Sequence, residues 1–302
     1  MALALAAWAA PPRLARGAAA TPAAGGCVTR WLGARPTAPP HRVVSLAPSL
    51  TDLVVAVGLA DRLVGVTRYD DAPEVARLPR VGGFVDPSPE ALLAARPELL
   101  LWISVGGHEA SVRRIADLGV PALGLRMVST ADVVACARLL GSALGAPGGG
   151  ERVALHLSEA MAAARARHWP GPRPRVLFVV GHEPLVVAGP GSYADELLRL
   201  AGAENVVRDA RPWSLYPPER AVADDPTLVI DAAVQESADT LARLSAIPAV
   251  RRGAVRRLSD DSALRPGPRL LRALSKLTRI LHPEGNGLKE GSRPSRDAGG
   301  AP

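Results

Sequence analysis

The sequence predicts an α/β protein built from two lobes that a single long helix joins. Strands rich in Val, Leu and Ile alternate with helical segments in two separate stretches of the chain. A run rich in helix formers, ERVALHLSEAMAAARARHW, lies between these stretches. The breakers GAPGGG and GPRPRP stand on either side of that run, so we expect it to form one independent helix.

The first lobe begins with RVVSLAPS, a strand of β-branched and aliphatic residues that enters a turn at Pro48. The helix TDLVVAVGLADR follows, with Ser49 or Thr51 as its N-cap and Gly58 near its end. Strands LVGVT, ELLLWI and PALGL then alternate with helices PEALLAA, HEASVRRIADLG and TADVVACARLLGSAL. Strands that alternate with helices of this length indicate parallel βαβ units, so each lobe is expected to be Rossmann-like.

The second lobe repeats the alternation, with strands RVLFVV, LVVAG, TLVID and AVRRL and helices SYADELLRLAG, ESADTLARLSAI and PRLLRALSKLTRILH. The last residues have no apolar periodicity, and we expect them to be disordered. The predicted organisation is a leader and linker at 1–40, an N-terminal lobe at 41–147, a connecting helix at 148–170, a C-terminal lobe at 171–283 and a tail at 284–302.

Composition narrows the possible classes of function. The chain of 302 residues is 48% hydrophobic and 22% charged, as an ordinary globular protein is. A formal net charge of +7 could suggest nucleic acid, but the arginines are scattered and aromatic residues do not interleave with them. The six histidines do not pair at i, i+4 and the two cysteines lack metal-ligand spacing. We therefore expect neither a nucleic-acid partner nor a metal site.

The N-terminus has some features of an export signal. MALALAAWAA is apolar, too short to span a bilayer, and lacks a positive n-region. AAGGC, which ends at Cys27, resembles a lipoprotein processing site, although Ala24 replaces the usual leucine. We expect a periplasmic or other extracytoplasmic protein with Cys27 as a candidate for lipid attachment; a misassigned start with an unstructured leader is the alternative. Cys136, in an apolar helix, is expected to be a small buried thiol.

Two segments of the chain match each other: FVDPSPEALLAARPELLLW and WSLYPPERAVADDPTLVID. Each begins with an aromatic residue, Phe84 or Trp213, and places Pro-Glu at the same offset, which gives Glu90 and Glu219. In each, a second proline and an aliphatic strand follow. Proline suits the first turn of a helix, and a carboxylate is favoured there, so both glutamates are either ordinary first-turn acids or share a role.

The chain resembles a known family, the periplasmic substrate-binding proteins of cobalamin and ferric-siderophore ABC importers, also called class III or helical-backbone binding proteins. The resemblance rests on RVVSLAPSLTDLVVAVGLADRLVGVTRYDDAPE, VGGFVDPSPEALLAARPELLLW, PLVVAGPGSYADELLRLAGAENVV, RPWSLYPPE and LRPGPRLLRALSKLTRILHP, which together span about 41–283. It implies two α/β lobes joined by one rigid helix, with the ligand in the cleft between the lobes. Within the family, the chain is most similar to the cobalamin-binding members.

The resemblance implies which residues bind the ligand. Tyr69 and Trp213 match aromatic residues in the cleft of the cobalamin binders, and Phe84 matches a cleft position that tryptophan occupies there. Trp102 lies within one residue of another cleft aromatic, and a core position in a strand is the alternative for it. Flat aromatic faces suit the broad, mostly apolar corrin ring. Tyr216 has no counterpart in the family and no predicted role.

The resemblance also implies the partners. Glu90 and Glu219 match two surface glutamates, one per lobe, that dock onto arginines of an ABC permease dimer, which works with ATPase subunits. The chain is then expected to be a monomer that needs no cofactor. Its transported ligand is expected to be cobalamin or a related corrinoid.

Two other functions are open alternatives. A protein of the same fold could bind a ferric siderophore or haem. Arg68 and Arg211 would favour an anionic siderophore, whereas His108 and His182 are candidate ligands of haem or a metal. An enzyme of unknown class is the lower alternative, since Ser45, His182 and Asp195 come without a G-x-S-x-G elbow. GPGSY at 189–193 lacks the phosphate-loop patterns and is expected to be a helix start capped by Ser192.

Overall fold

The computed structural model describes residues 27–104, 109–169 and 171–283. Two α/β lobes make up the described part of the chain, and each lobe is built around one sheet. A single 20-residue helix joins the lobes. The predicted fold class, two α/β lobes connected by one long helix, is therefore confirmed.

The N-terminal sheet has the strand order β1-β5-β4-β2-β3, and all its strand pairs are parallel except β1–β5. All residues of the three central strands are buried, which requires helices on both faces of the sheet. The elements of this lobe are β1 (Thr29–Leu32), β2 (Val43–Ser45), α1 (Pro48–Val57), β3 (Leu63–Gly65), α2 (Pro89–Ala94), β4 (Leu99–Ile103), α3 (Glu109–Ala116), β5 (Ala122–Leu125) and α4 (Thr130–Ala143).

The C-terminal sheet has the order β11-β10-β6-β7-β9, and β8 also pairs with β6. Strand β7 is antiparallel to its two neighbours, β6 and β9, and the other pairs are parallel. The elements, including the connecting helix α5, are α5 (Pro147–Ala166), β6 (Arg175–His182), β7 (Leu185–Ala188), α6 (Tyr193–Leu200), β8 (Glu204–Asn205), β9 (Trp213–Leu215), α7 (Pro218–Ala223), β10 (Leu228–Asp231), α8 (Ala238–Ala242), α9 (Pro248–Arg251), β11 (Val255–Arg257) and α10 (Leu270–Leu281).

The connecting helix α5 spans Pro147–Ala166, where the sequence predicts 148–170, and it includes glycines that the sequence suggests would precede it. Its first turn contains Pro147 and the three glycines that read as a breaker in the sequence. A Cβ on Gly149 would lie 2.2 Å from the carbonyl oxygen of Val57, and a Cβ on Gly150 would lie 2.6 Å from that of Ala137. The glycines therefore let α5 pack directly against the backbones of α1 and α4, which fixes the helix to the N-terminal lobe.

The internal sequence match corresponds to a structural repeat. Helices α2 and α7 each have six residues and begin at the proline before the matched glutamate. Each is followed by a residue in the left-handed region, Arg96 with φ 45° and Asp225 with φ 41°. A proline and an inner parallel strand, β4 or β10, come next. Both lobes thus use the same turn between a short helix and a strand.

The N-terminal lobe also begins earlier than predicted. Thr29–Leu32, within the predicted leader and linker, pairs with β5 as an antiparallel edge strand. Cys27 forms a disulfide with Cys136 of α4, and their Cα atoms are 5.3 Å apart. The prediction of a free thiol at Cys136 is therefore wrong. Lipid attachment at Cys27 would need the sulfur that this disulfide uses. The rest of the predicted leader, 1–26, and the tail at 284–302 lie outside the described residues.

Ion pairs hold α10 against the turn that precedes it. The Asp260 carboxylate lies 2.6 Å from Nζ of Lys276 and 3.1 Å from Nη2 of Arg272. It also accepts hydrogen bonds from the backbone N–H and the hydroxyl of Ser262. Burial by itself raises the pKa of Asp260, but the bonds from Lys276 and Ser262 outweigh burial and lower the pKa to about 2.

We predict that the Cys27–Cys136 disulfide stabilises the fold. Reduction should lower the free energy of unfolding by about 2–4 kcal/mol, because the bond constrains a long loop of the unfolded chain. Urea unfolding followed by circular dichroism, with and without a reducing agent, measures this difference. The Cys136→Ala variant is the control, since a reductant should not change its unfolding midpoint. Equal midpoints for the oxidised and reduced wild type would contradict the prediction.

We also predict that Lys276→Met lowers stability at neutral pH and that this effect shrinks in acid. The folded pKa of Asp260, about 2, lies below its ordinary value of 3.8. The ion pair therefore stabilises the fold above the ordinary pKa, and this stabilisation is lost as the pH falls toward the folded pKa. Urea midpoints of wild type and variant should converge as the pH falls from about 4 to about 2, whereas Lys276→Arg should follow the wild type. A gap that stays constant over this range would exclude the pairing.

Candidate ligand-binding cleft

A cavity of about 420 Å³ opens between the two lobes. Its walls come from segments that follow β3 in one lobe and β10 and β11 in the other, where ligands bind in open α/β sheets. It contains one aromatic ring, one guanidinium group and three carboxylates, so it is more polar than the sequence predicts. The lining residues are Tyr69, Asp71, Val234, Gln235, Ser259, Asp260, Asp261 and Arg265.

Arg265 is the buried centre of this lining, with 6% of its side chain exposed. Its Nε donates to Asp261 at 2.8 Å, within its own lobe. Its Nη1 donates to Asp71 at 2.8 Å, and its Nη2 donates to the backbone oxygen of Tyr69 at 3.2 Å, both in the other lobe. One guanidinium group therefore links the lobes at the cavity wall.

Arg269 extends the link to α1. Its Nε lies 2.8 Å from Asp52, and its Nη2 lies 2.6 Å from Asp71. Burial raises the pKa of Asp52, although Arg269 and Arg265 act in the opposite direction. Burial also acts to raise the pKa of Asp71, but hydrogen bonds and charge from the same two arginines outweigh it and lower that pKa. The more exposed Asp71 is thus held as a carboxylate at the cavity.

Arg265, Arg269 and Asp71 are not among the site residues that the sequence predicts. The i, i+4 spacing of Asp261 and Arg265 is visible in the sequence and indicates a local ion pair. The partners in the other lobe are almost 200 positions away, at separations of 194 and 198 residues. No local pattern could therefore identify them.

Tyr69, one of the predicted ligand-binding residues, lines the cavity, and its binding of a ligand stays a prediction. Its loop is fixed by the buried Asp70, whose carboxylate accepts hydrogen bonds from the backbone N–H and hydroxyl of Thr67 at 2.8 and 2.6 Å. The Arg68 guanidinium lies 5.3 Å from the centre of the Tyr69 ring. The half-buried ring can therefore offer a face to a ligand in the cavity, with a cation beside it.

The other predicted ligand-binding residues have different placements. Phe84 is half-buried and packs against the main core cluster. Trp102 is 3% exposed in β4, and a Cβ on Gly124 would lie 2.7 Å from its ring. Trp213 is 4% exposed, with its ring centre 4.9 Å from that of Tyr193. Both tryptophan side chains are buried in the cores of their lobes. For Trp102, this is the alternative that the sequence left open, a core position in a strand.

Glu90 and Glu219 are both exposed, at the second residue of α2 and of α7. Glu90 accepts a hydrogen bond from the hydroxyl of Ser88 at 3.1 Å. Neither carboxylate forms an ion pair with another described residue. Each lobe thus presents one exposed carboxylate, at equivalent positions of the repeat.

Tyr216 has a structural role in the C-terminal lobe. It is buried, and its hydroxyl donates a hydrogen bond to Asp224 at the end of α7. Burial, and then the bond to Asp224, raise its pKa. The Arg220 guanidinium lies 5.5 Å from the ring. Tyr216 therefore ties the strand before α7 to the end of that helix and fixes the helix that carries Glu219.

The residues considered for an enzyme do not meet. Ser45 donates to the backbone oxygen of Ala47 at 3.0 Å, and Asp195 accepts from Asn205 at 3.1 Å. The ring of His182 lies 2.9 Å from the carboxylate of Asp231 and is buried. Each side chain is thus bonded to a different neighbour, and no triad forms among them.

The other motifs singled out in the sequence also have a defined place. Ser192 caps α6 by accepting a hydrogen bond from the backbone N–H of Asp195, so GPGSY is a helix start. His108 lies outside the described residues. Among the helices that the structure describes, none combines the length and the apolar character needed to cross a membrane.

Curated relatives match most of the chain. It is 28% identical over 260 residues to the vitamin B12-binding protein of Salmonella choleraesuis strain SC-B67, which covers 83% of this chain and 92% of that protein. It is 27% identical over 243 residues to the vitamin B12-binding protein of Yersinia pseudotuberculosis serotype O:3 strain YPIII, with coverage of 78% and 85%.

Solved structures share the fold. The periplasmic haem-binding protein of Roseiflexus sp. RS-1, in its apo form, is 30% identical and superposes with a TM-score of 0.69 over 80% of this chain and 98% of that one. The periplasmic vitamin B12 binding protein of Vibrio cholerae, at 23% identity, superposes with a TM-score of 0.67 over 80% and 97% and shows the fold alone. The sequence profile described as periplasmic binding protein matches residues 43–262, which contain most of both lobes. The chain therefore belongs to the periplasmic binding protein family.

Proposed function

We propose that this chain is the substrate-binding component of an ABC importer and carries cobalamin or a related corrinoid in the cleft between its lobes. One observation carries the proposal: a cavity lies between two lobes of this family's fold, in a chain that matches proteins named for vitamin B12 binding over most of their length. The role is binding and delivery, without catalysis and without a cofactor.

The cavity offers the groups that a corrinoid would need. Tyr69 provides an aromatic face for the apolar ring system. Gln235, Ser259 and Arg265 provide donors and acceptors for the amides at the ring edge. A corrinoid is larger than the cavity of about 420 Å³, so it would fill this space and extend along the cleft. The ion pairs of Arg265 with the other lobe would limit how far the lobes separate.

Glu90 and Glu219 would dock the loaded protein onto the permease dimer. Their carboxylates are exposed and form no ion pair with another described residue, so they are available to cationic side chains of a partner. Arginine binds a carboxylate through two parallel hydrogen bonds, which fixes orientation as well as adding affinity. One carboxylate on each lobe would let the partner contact both lobes together.

Haem is the second candidate ligand. The observation that favours it is the phenol of Tyr69 in the cavity, because tyrosine can ligate ferric haem, together with 30% identity to a solved haem-binding protein. Haem binding would depend on the phenol oxygen, whereas corrinoid stacking would depend on the ring. This difference separates the two ligands experimentally.

The disulfide supports a location outside the cytoplasm. Disulfides persist in oxidising compartments such as the periplasm. Membership of the periplasmic binding protein family supports the same location. Because Cys27 is bonded to Cys136, we propose a form that is not anchored to lipid through Cys27.

Titration with cyanocobalamin and with hemin tests the ligand. We expect cyanocobalamin to bind the wild type in calorimetry, Tyr69→Ala to weaken binding by roughly ten-fold, and Tyr69→Phe to leave it nearly unchanged because the ring remains. If hemin binds instead and Tyr69→Phe abolishes its tyrosinate absorption, haem is the ligand. Absence of cyanocobalamin binding at high micromolar concentration would exclude the corrinoid assignment.

Uptake assays test the docking role. The double variant Glu90→Gln, Glu219→Gln should lower corrinoid uptake with the cognate permease by at least roughly 30-fold, because the partner cations lose their carboxylates. Its affinity for cyanocobalamin should stay that of the wild type. Glu74→Gln with Glu159→Gln, two other exposed glutamates, is the matched control and should transport normally. A fall in ligand affinity in the first variant would place its glutamates in the cleft instead.

A further inference from the structure

A second cavity, of about 470 Å³, lies where the connecting helix meets the C-terminal lobe. The start of α4 in the N-terminal lobe and α6 in the C-terminal lobe contribute to it, together with the end of the connecting helix α5 and the segment that follows this helix. It shares no lining residue with the cleft cavity. We call it the arginine cavity. It is lined by Thr130, Ala131, Ala164, Arg165, Arg167, Trp169, Arg173, Glu196, Arg199 and Leu200.

The charges of the arginine cavity are unbalanced, with four guanidinium groups and one carboxylate in the lining. The carboxylate, Glu196, already accepts hydrogen bonds from the backbone N–H and the hydroxyl of Thr130. Arg199 pairs with Asp195 at 3.2 Å. The other three arginines form no ion pair with any residue that the structure describes. Like charges around one cavity repel, so an anion inside it would be stabilised.

One wall of the arginine cavity is held rigidly. The ring of Trp169 stacks on His282 with centres 3.9 Å apart, and its Nε1 donates to the backbone oxygen of Leu200 at 3.2 Å. The Trp169 ring also lies against Gly202, since a Cβ on Gly202 would lie 2.5 Å from the ring. The Arg167 guanidinium lies 5.1 Å from the centre of the same ring. The aromatic ring therefore limits the positions that this cation can take at the cavity.

We propose that the arginine cavity binds a small anion that carries two linked phosphate groups. Guanidinium groups bind phosphate oxygens through paired hydrogen bonds, and several arginines can surround one such ligand. Two linked phosphates carry several negative charges near neutral pH, which suits the three arginines of the lining that form no ion pair with a described residue. The volume lies within the usual range for small-molecule sites. The site is separate from the cleft, so it stands whether or not the cleft binds a corrinoid.

Calorimetric titration with inorganic pyrophosphate tests the site. We expect the wild type to bind one pyrophosphate, more weakly as the salt concentration rises. Arg165→Gln with Arg173→Gln should weaken binding by at least roughly ten-fold, because two charge-assisted contacts are lost. Both arginines are exposed, so the variant should fold normally, as a thermal melt can verify. Saturating cyanocobalamin should leave the affinity for pyrophosphate unchanged.

The control variant is Arg251→Gln with Arg252→Gln, which removes the same net charge from exposed positions at the end of α9. It should bind pyrophosphate like the wild type. Equal weakening in both variants would show an effect of net charge and overturn the site. Absence of wild-type binding at about 1 mM pyrophosphate would overturn it as well. The proposal would also be overturned if the protein bound phosphatidylglycerol vesicles and pyrophosphate did not displace them, because a lipid headgroup would then be the ligand.

Discussion

The buried guanidinium of Arg265 is the contact on which the geometry of the cleft depends. It bonds to Asp261 in its own lobe and to Asp71 and the Tyr69 backbone in the other. A charge this well buried is stable only if its partners stay in place, and removal of one partner from such a pair is strongly destabilising. The same atoms therefore line the cavity and hold the lobes in register.

The connecting helix also limits how the two lobes can move relative to each other. It packs on α1 and α4 through glycines that leave no space for a side chain, so its first turns move with the N-terminal lobe. The lobes also meet directly, since the backbone N–H of Tyr193 donates to the oxygen of Val128 at 2.7 Å. Together, these contacts favour a small adjustment on ligand binding over a wide hinge motion.

The repeated segment shows how one local design can serve both lobes. In each copy a proline opens a short helix, a residue in the left-handed region ends it, and a buried parallel strand follows. Arg96 and Asp225 hold that conformation at a cost in backbone energy, which the strands that follow must compensate. The turn places Glu90 and Glu219 at equivalent exposed positions, although the aromatic residues that begin the two copies differ in burial.

The sequence by itself determined the alternation of strands and helices, the long helix between the lobes and the repeat that carries Glu90 and Glu219. These features depend on local periodicity, on breakers and on offsets within one segment, all of which can be read along the chain. The placement of Tyr69 at the cavity was also predictable, because the resemblance to a family assigned it to a loop in the cleft.

Only the tertiary structure decided which distant residues meet. Cys27 pairs with Cys136 across 109 positions, and Arg265 reaches Asp71 across 194. Trp102 is buried because β4 is covered on both faces, and Trp213, in the edge strand β9, is buried because its ring packs against Tyr193 in the core. Pairings of this kind follow from how the sheets and helices pack, and no pattern of neighbouring residues encodes them.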